Sequence, residues 1–420
     1  MSSPRITSNN TSNIKLEINS FFSKKDFLWS IEKLKNHGII KVRIGWKNLK
    51  QAEYTQNGPY LISGKHINNG KIQWDTCDHI SEERYLQSPE IALKNNDIIF
   101  SKDGTLGNPV IIKNLEYKST INATMMLIRL DDEIYPNYFF QILLSKYFYR
   151  FLHNYATKSG ISHILVGDFE DFEFPLTSMK QQIQITNVLE FFDKKSEFIE
   201  RKYNSLLSYK DSLLKQFFPL DISNNNDLHF DNYDNSLKYV LLKDIGTITT
   251  GNTPKGSDDV IFKEDGLLWV TANDLNYNKY IEDTKRKLNP KILNKSKLIK
   301  PGSIFVTCIG IIGKVAISTT LSTCNQQINV ITPYAGYDSE YIYYALLRYN
   351  KILNLHASQS VTLILNKREF SSIKIPVHSI YNQKRIAELL SLIDDKLNLL
   401  KKQSELTKKY KKGVFDLLIP

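Results

Sequence analysis

The sequence predicts an α+β protein in which a mixed α/β globule followed by a long helix occurs twice. Three observations predict it. At 420 residues the chain exceeds what one hydrophobic core organises, so two or more domains are expected. Pro175 and Pro376, and again Pro219 and Pro420, lie 201 positions apart (376 − 175 and 420 − 219), with no gap needed between them. Short strand-like segments also recur in one order in both halves.

The helices carry the repeat most clearly. They run from about Gln181 to Phe218 and from about Asn382 to Ile419. Ser178/Ser379, Gln182/Gln383, Ile185/Ile386, Leu189/Leu390, Asp193/Asp394, Lys195/Lys396, Tyr209/Tyr410 and Lys210/Lys411 are identical pairs. Each copy has an apolar spacing of three and four. In the first it runs through Ile185, Leu189, Phe192, Ile199, Leu206 and Leu213, and in the second through Ile386, Leu390, Ile393, Leu397, Leu400 and Val414. A seam recurring every 3.5 residues is the coiled-coil pattern. Neither copy holds an internal proline, and Gly413 is the only glycine in either.

In chain order, 1–13 reads as a disordered polar tail and 14–178 as the first globule, with a helix expected around Phe27–Leu34. Strand-like pieces follow at Ile39–Trp46, Pro59–Ser63, Asp97–Ser101, Pro109–Lys113 and Thr124–Leu130. They are β-branched and separated by Gly, Asn and Asp turns. A helical stretch at Asn137–Tyr155 and the strand Phe172–Leu176 lead to the first long helix, 179–219. The Asn/Asp-rich 220–237 reads as a linker. The second globule, 238–378, repeats the order. It has strands at Tyr239–Ile248, Leu267–Leu275, Ser303–Gly310, Lys314–Ser318 and Ile328–Pro333, a helix at Ser339–Leu353, and a strand at Ile373–Val377. The second long helix, 379–420, follows. Gly104–Gly107 matches Gly310–Gly313, a GxxG turn after an apolar strand in each half. Such a turn admits positive φ and close approach of the backbone to another surface.

The formal net charge of +11 favours a polyanionic partner. Three cysteines, Cys77, Cys308 and Cys324, form no CxxC pair and no complete disulfide framework, which fits a reducing cytoplasm. No segment reads as a membrane helix, since the longest apolar run, Ile304–Ile312, is far short of the ~20 residues required. Catalytic patterns are missing. Gly310–Lys314 fails as a phosphate loop because Cys308 stands at a required glycine and Val315 follows the lysine. No methyltransferase signature, GxGxxG after a strand, HExxH or His/Cys cluster occurs, so no catalytic residue and no metal site are expected. Asp103 with Glu116 and Lys118 is a nuclease-like set, but the second half offers no equivalent.

Two similar globules, each followed by a heptad helix, resemble the specificity subunit of type I restriction–modification enzymes. The residues carrying the resemblance are the two GxxG turns, the segments Phe172–Ile183 and Ile373–Leu390 that open the helices, and Leu241–Pro254. The chain departs from the usual Glu-Gln at the helix openings, having Lys180–Gln182 and Asn382–Gln383, and the first half lacks a clear counterpart of Leu241–Pro254. The resemblance implies that each globule is a target recognition domain reading half of a split, asymmetric sequence in double-stranded DNA. It implies that the helices pair antiparallel as a spacer and dock two modification (methyltransferase) subunits, with restriction subunits joined through these. S-adenosylmethionine, ATP and Mg²⁺ would sit on the partners, leaving no cofactor here. The competing readings are a duplicated nuclease or methyltransferase and a protein-only coiled-coil adaptor.

Candidate DNA contacts are the polar or basic residues at the matched turns: Ser63, Lys65, His66, Lys102, Thr105, Thr271, Asn273 and Lys314. Arg and Lys suit guanine edges or phosphates, and Asn and Gln suit adenine. The apolar residues off the seam, Phe191, Phe198, Leu207, Leu399 and Leu406, are candidates for partner docking.

Overall fold

The computed structural model describes residues 28–43, 49–68, 70–104, 106–159, 163–220, 237–275, 278–295, 298–357 and 363–420. The expected tail, 1–13, and nearly all of the expected linker, 220–237, lie outside these, as does Thr105. The chain forms two compact units, 1–198 with 405–420, and 199–404.

In unit 1 the strands are β1 (Ser30–Lys33), β2 (Gly38–Lys41), β3 (Tyr54–Ile62), β4 (Ile67–Asn68), β5 (Lys71–Ile72), β6 (Asp78–Ile80), β7 (Ile98–Ser101), β8 (Gly107–Ile111), β9 (Ser119–Ile121), β10 (Met125–Leu130) and β11 (Glu173–Leu176). They form a four-stranded sheet ordered β2-β10-β7-β8, a three-stranded sheet ordered β6-β3-β9 in which β3 and β9 run parallel, and two pairs, β1-β11 and β4-β5. The strands β7 and β10 are buried on both faces, which explains their unbroken apolar runs, Ile98–Phe100 and Met125–Ile128. Helices at Pro136–Leu143 and Lys146–Ser159 cover the first sheet through Tyr138, Phe139, Ile142 and Phe148.

Unit 2 repeats the plan with β12 (Lys238–Leu241), β13 (Gly246–Thr250), β14 (Phe262–Val270), β15 (Tyr280–Ile281), β16 (Lys287–Leu288), β17 (Ile304–Thr307), β18 (Val315–Ser318), β19 (Ser322–Cys324), β20 (Ile328–Pro333) and β21 (Lys374–Val377). Its sheets are ordered β13-β20-β17-β18-β15 and β16-β14-β19, with β14 and β19 again parallel, and β12 pairs with β21. Tyr341 and Tyr344 of the helix Ser339–Arg348 lie in the main core of this unit.

Three expectations are corrected. The helix expected around Phe27–Leu34 is instead β1 followed by a 3-10 turn at Leu34–Asn36, because Ser30 to Lys33 pair with Leu176 to Glu173 across the unit. The single strand expected at Tyr239–Ile248 is broken by a helical turn, Leu242–Ile245, that buries Leu242 and Ile245. The helices expected at Asn137–Tyr155 and Ser339–Leu353 are each two, interrupted near Leu144 and Tyr349.

The long helices are Met179–Phe217 and Ile380–Leu418, 39 residues each. Within unit 1 the start of the first packs with the end of the second: Ile185 and Leu189 share a core with Val414, Phe415 and Leu418, and Lys411 donates to Asp193 at 2.6 Å. Within unit 2 the same clasp is made with the roles exchanged. Leu213 and Phe217 share a core with Ile386, Leu390 and Ile393, and Lys210 pairs with Asp394. In both units the segments meet head to tail, as an antiparallel pair requires.

One further device fixes each globule to its helix. Gln182 is fully buried; its amide donates to the carbonyls of Glu133 and Thr177 and accepts from the Tyr135 N–H at 2.8 Å. Gln383 does the same with Gly336, His378 and the Asp338 N–H. The identity of this pair in sequence therefore has a structural cause. An amide offers two donors and an acceptor in one plane, and each finds a backbone partner.

Candidate nucleic-acid interface

The GxxG turns are the most regular irregular feature of the two units. All four glycines have positive φ: 72° and 93° at Gly104 and Gly107, 76° and 83° at Gly310 and Gly313. An L side chain is disfavoured there, so the glycines set the path. Each turn is clasped by the segment before the next short helix. The Ile164 N–H donates to Lys102 O at 2.9 Å, and the Leu365 N–H donates to Cys308 O at 2.8 Å. Isolated bridges join Asp103 to His163 and Ile309 to Ile364.

In unit 1 the turn borders an open cleft of about 760 Å³. Its walls include Gln51, Tyr54, Ser63, Lys65, Asp103, Asn108, Asn122 and Thr124. The candidates Ser63 and Lys65 thus share one concavity with the Gly104 turn, although some forty residues separate them in sequence. Their roles differ from a simple list of contacts. The His66 Nδ1 accepts from the Ser63 N–H at 3.1 Å, and its ring is buried, so the pair shapes the turn rather than facing solvent. Burial lowers the His66 pKa despite the neighbouring Asp78. Lys65 is exposed and pairs with Asp78 at 2.9 Å.

Lys102, the next candidate, lies at the base of the turn. It is buried, and its ammonium donates to Asp103 at 2.9 Å. His163 pairs with the other oxygen of the same carboxylate. Burial opposes the charge on Asp103, but hydrogen bonds from His163 and Lys102 outweigh it and hold the carboxyl below its ordinary range. Of the nuclease-like set, Asp103 is thus engaged with Lys102 and His163, and Lys118 pairs with Glu82.

In unit 2 Thr271 occupies the place of Ser63. Its hydroxyl donates to Asp274 at 2.6 Å and its N–H does so at 2.8 Å, closing the same short turn. Asn273 is exposed between them, and Lys314, half-buried, gives its N–H to Thr307 Oγ1. The polar triad of unit 1 has no counterpart: Cys308, Ile309 and Ile364 stand where Lys102, Asp103 and His163 stand.

Sequence reasoning missed Asn122 and Thr124, which line the cleft, and Asn108, exposed with a φ of 51° directly after the second glycine. The signal was available. Asn122 and Asn325 hold equivalent places, accepting from the Thr124 and Gln327 N–H groups at 3.1 Å each. Asn108 and Lys314 are the residues that follow each GxxG.

On the long helices Leu189, Ile199, Leu390, Ile393, Leu397 and Leu400 are buried, and Phe192 and Leu206 are half-buried. Phe191, Phe198, Leu207, Leu399 and Leu406 are 43–61% exposed. Among the described residues no helix is long and apolar enough to cross a membrane.

One module built twice, each copy clasping both long helices and presenting a differently lined turn, defines a two-part recognition protein. The chain belongs to the type I restriction modification DNA specificity domain family, which it matches over residues 22–208 and 236–408. It is 24% identical over 355 residues to the MjaVIII specificity subunit of Methanocaldococcus jannaschii, covering 80% of each chain. To the MjaIX specificity subunit of the same organism it is 32% identical over 174 residues, 40% of each chain. The fold is similar to that of the type I restriction–modification S subunit from M. genitalium (TM-score 0.56, 16% identity, 94% of this chain and 97% of that one). It is also similar to that of a chain from a structure of assembly and conformational transition in a type I system (TM-score 0.58, 14% identity, 93% and 97%). The protein is a DNA specificity subunit, the non-catalytic component of such a complex.

Proposed function

We propose that unit 1 and unit 2 each read one half of a bipartite, asymmetric DNA site, while the paired helices set the distance between the half-sites. The observation that carries this is the doubled turn. Its backbone bonds are the same in both units, and its side chains differ at three matched positions, Lys102/Cys308, Asp103/Ile309 and His163/Ile364. One scaffold offering two chemistries suits two different base patterns, and a repeated module suits the twofold character of duplex DNA.

The partners are DNA and methyltransferase. Two modification subunits dock on the helices through Phe191, Phe198, Leu207, Leu399 and Leu406, and restriction subunits join through them. Exposed apolar side chains on a helix that already buries its seam support that docking role. S-adenosylmethionine, ATP and Mg²⁺ act on those partners, and the complex works in the cytoplasm.

The spacer role has a direct test. One heptad inserted after Glu200 and one after Lys401 lengthens each helix by about 10 Å and keeps the seam in register. With base pairs stacked about 3.4 Å apart, the preferred gap should grow by roughly three base pairs while the half-sites stay the same. Sequencing methylated sites from cells expressing the variant reads the answer. An unchanged gap refutes the spacer role.

A further inference from the structure

Away from the GxxG turns, unit 1 holds a group of side chains that neither the fold nor DNA reading accounts for. His37 follows the 3-10 turn Leu34–Asn36, and its ring packs edge-on against Phe174. Its side chain is only 9% exposed, yet neither ring nitrogen has a hydrogen-bond partner among the described residues. A buried imidazole left this way is costly unless something else fills its coordination.

The neighbours indicate what that is. Nδ1 lies 3.3 Å from Glu133 Oε2 and 3.6 Å from Asp131 Oδ2. Both exceed the 2.7–3.2 Å typical of an N–H···O hydrogen bond. They are close to the separation of two ligands on one tetrahedral ion, about 3.3 Å for bonds of about 2.0–2.1 Å. The three ligand atoms all lie within 4.8 Å of one another. Asp131 Oδ1 is already used, accepting the Glu133 N–H at 3.0 Å, and this turns Oδ2 toward the ring. On the other side Nε2 faces Glu32 Oε2 at 3.6 Å. A carboxylate behind the second nitrogen is the usual companion of a metal-binding histidine, fixing its tautomer and orientation.

The second unit supplies an internal control. The Asp131 N–H bonds to His37 O, and the Tyr334 N–H bonds to Ile245 O in the same way. Gln182 holds Glu133 O as Gln383 holds Gly336 O. The matched positions are therefore His37/Ile245, Asp131/Tyr334 and Glu133/Gly336. Unit 2 builds this backbone with none of the three candidate ligands, so folding does not demand them.

We propose that His37, Asp131 and Glu133 bind one divalent transition-metal ion of the zinc class, oriented by Glu32. An imidazole with two carboxylates favours such an ion over magnesium or calcium, which take oxygen ligands. Both carboxylate side chains reach solvent, at 41% and 74% exposure, which leaves a path for the ion and room for water in the remaining position. The ion ties the loop after β10 to the start of β2, beside the bonds through which Gln182 holds that loop to the first long helix.

The test uses the full chain, stripped with a chelator and titrated with zinc chloride by calorimetry, with cobalt(II) as a visible-absorption probe. One saturable zinc per chain is expected, with the strong visible band of tetrahedral cobalt. His37→Ile, which installs the residue unit 2 uses here, should abolish both. Glu32→Ala should weaken binding on the order of tenfold. Zinc should raise the melting temperature of the wild type and leave that of His37→Ile unchanged. Should His37→Ile fail to fold, the double variant Asp131→Asn/Glu133→Gln decides the matter, since neither carboxylate is buried. Absence of saturable uptake, or uptake that survives loss of these ligands, overturns the proposal.

Discussion

The two units differ least where they meet the helices and most where side chains face the GxxG turn or replace one another beneath the loops. Gln182 and Gln383, Asp193 and Asp394, Lys210 and Lys411, and the four turn glycines do the same work twice. By contrast Arg43 occupies the place of Gly251. Arg43 is buried and donates to the Ile121 carbonyl at 3.1 Å and to the hydroxyls of Ser88 and Thr120 at 3.3 Å each. In unit 2 the matching carbonyl, that of Cys324, lies so close to Gly251 that an added Cβ would stand 2.3 Å from it and 2.2 Å from Asn325 O. The two backbones therefore part at this matched position, since Arg43 carries the Cβ for which Gly251 has no room. The matching carbonyl is satisfied in both units, by the Arg43 guanidinium in one and by the Asn252 N–H at 3.1 Å in the other, so the repeat keeps the acceptor and not the donor.

The largest expected difference between the units lies at Arg43 and Gly251. Gly251→Ala forces a methyl against two backbone oxygens that cannot swing aside, and should destabilise unit 2 by about 3–4 kcal/mol. Arg43→Gly in unit 1 leaves its acceptors without their donor and should cost less, about 2 kcal/mol. Urea midpoints of the two variants give the ranking. The reverse order would mean that the two sites are not equivalent.

A second difference is sensitive to pH. Tyr341 lies 3.0 Å from Pro376 O and 2.7 Å from His378 Nδ1, while Tyr138 donates to Pro175 O at 2.6 Å with Thr177 in the place of the histidine. Burial lowers the His378 pKa to about 4. A folded-state value below the ordinary ~6.5 means that the unfolded chain binds the extra proton. The neutral form's contribution is therefore complete above about pH 6.5 and is lost as the pH falls toward about 4. Between neutrality and about pH 5 the loss should reach at most about 2 kcal/mol. His378→Thr, borrowing the residue of unit 1, should flatten that slope in denaturation curves. A slope that persists assigns it elsewhere.

The smallest effect concerns the helix clasp. Asp193 pairs with Lys411, whose repeat mate is Lys210. A chain cut after Pro219 retains Asp193 and Lys210, so two copies can form the pair between them. We expect a homodimer by sedimentation at tens of micromolar, weakened by about 1 kcal/mol per pair in Asp193→Asn. A strict monomer would show that the clasp depends on features particular to the second helix.

The helices, their seam and the matched turns were legible because each rests on local spacing: 3.5 residues for the seam, and two glycines for the turn. What stayed hidden depends on distant partners. Ser30–Lys33 reads as helical until its pairing with Glu173–Leu176 is known. Lys102 reads as a candidate DNA contact from its place beside the turn, and nothing nearby in sequence announces His163, which completes its carboxylate cluster. No spacing rule joins His37 to Asp131 and Glu133, which only the pairing of β2 with β10 brings together.

The division of the chain also has a consequence for its synthesis. Unit 2 is continuous, 199–404, whereas unit 1 needs 405–420 in addition to 1–198. On the ribosome the second unit can therefore close as soon as it has emerged. The first must wait, its core lacking Val414, Phe415, Leu418 and Ile419, which share it with Ile185 and Leu189. Of the two units, the one begun first is the last to be finished, and an incomplete core is a target for chaperones or for a neighbouring nascent chain.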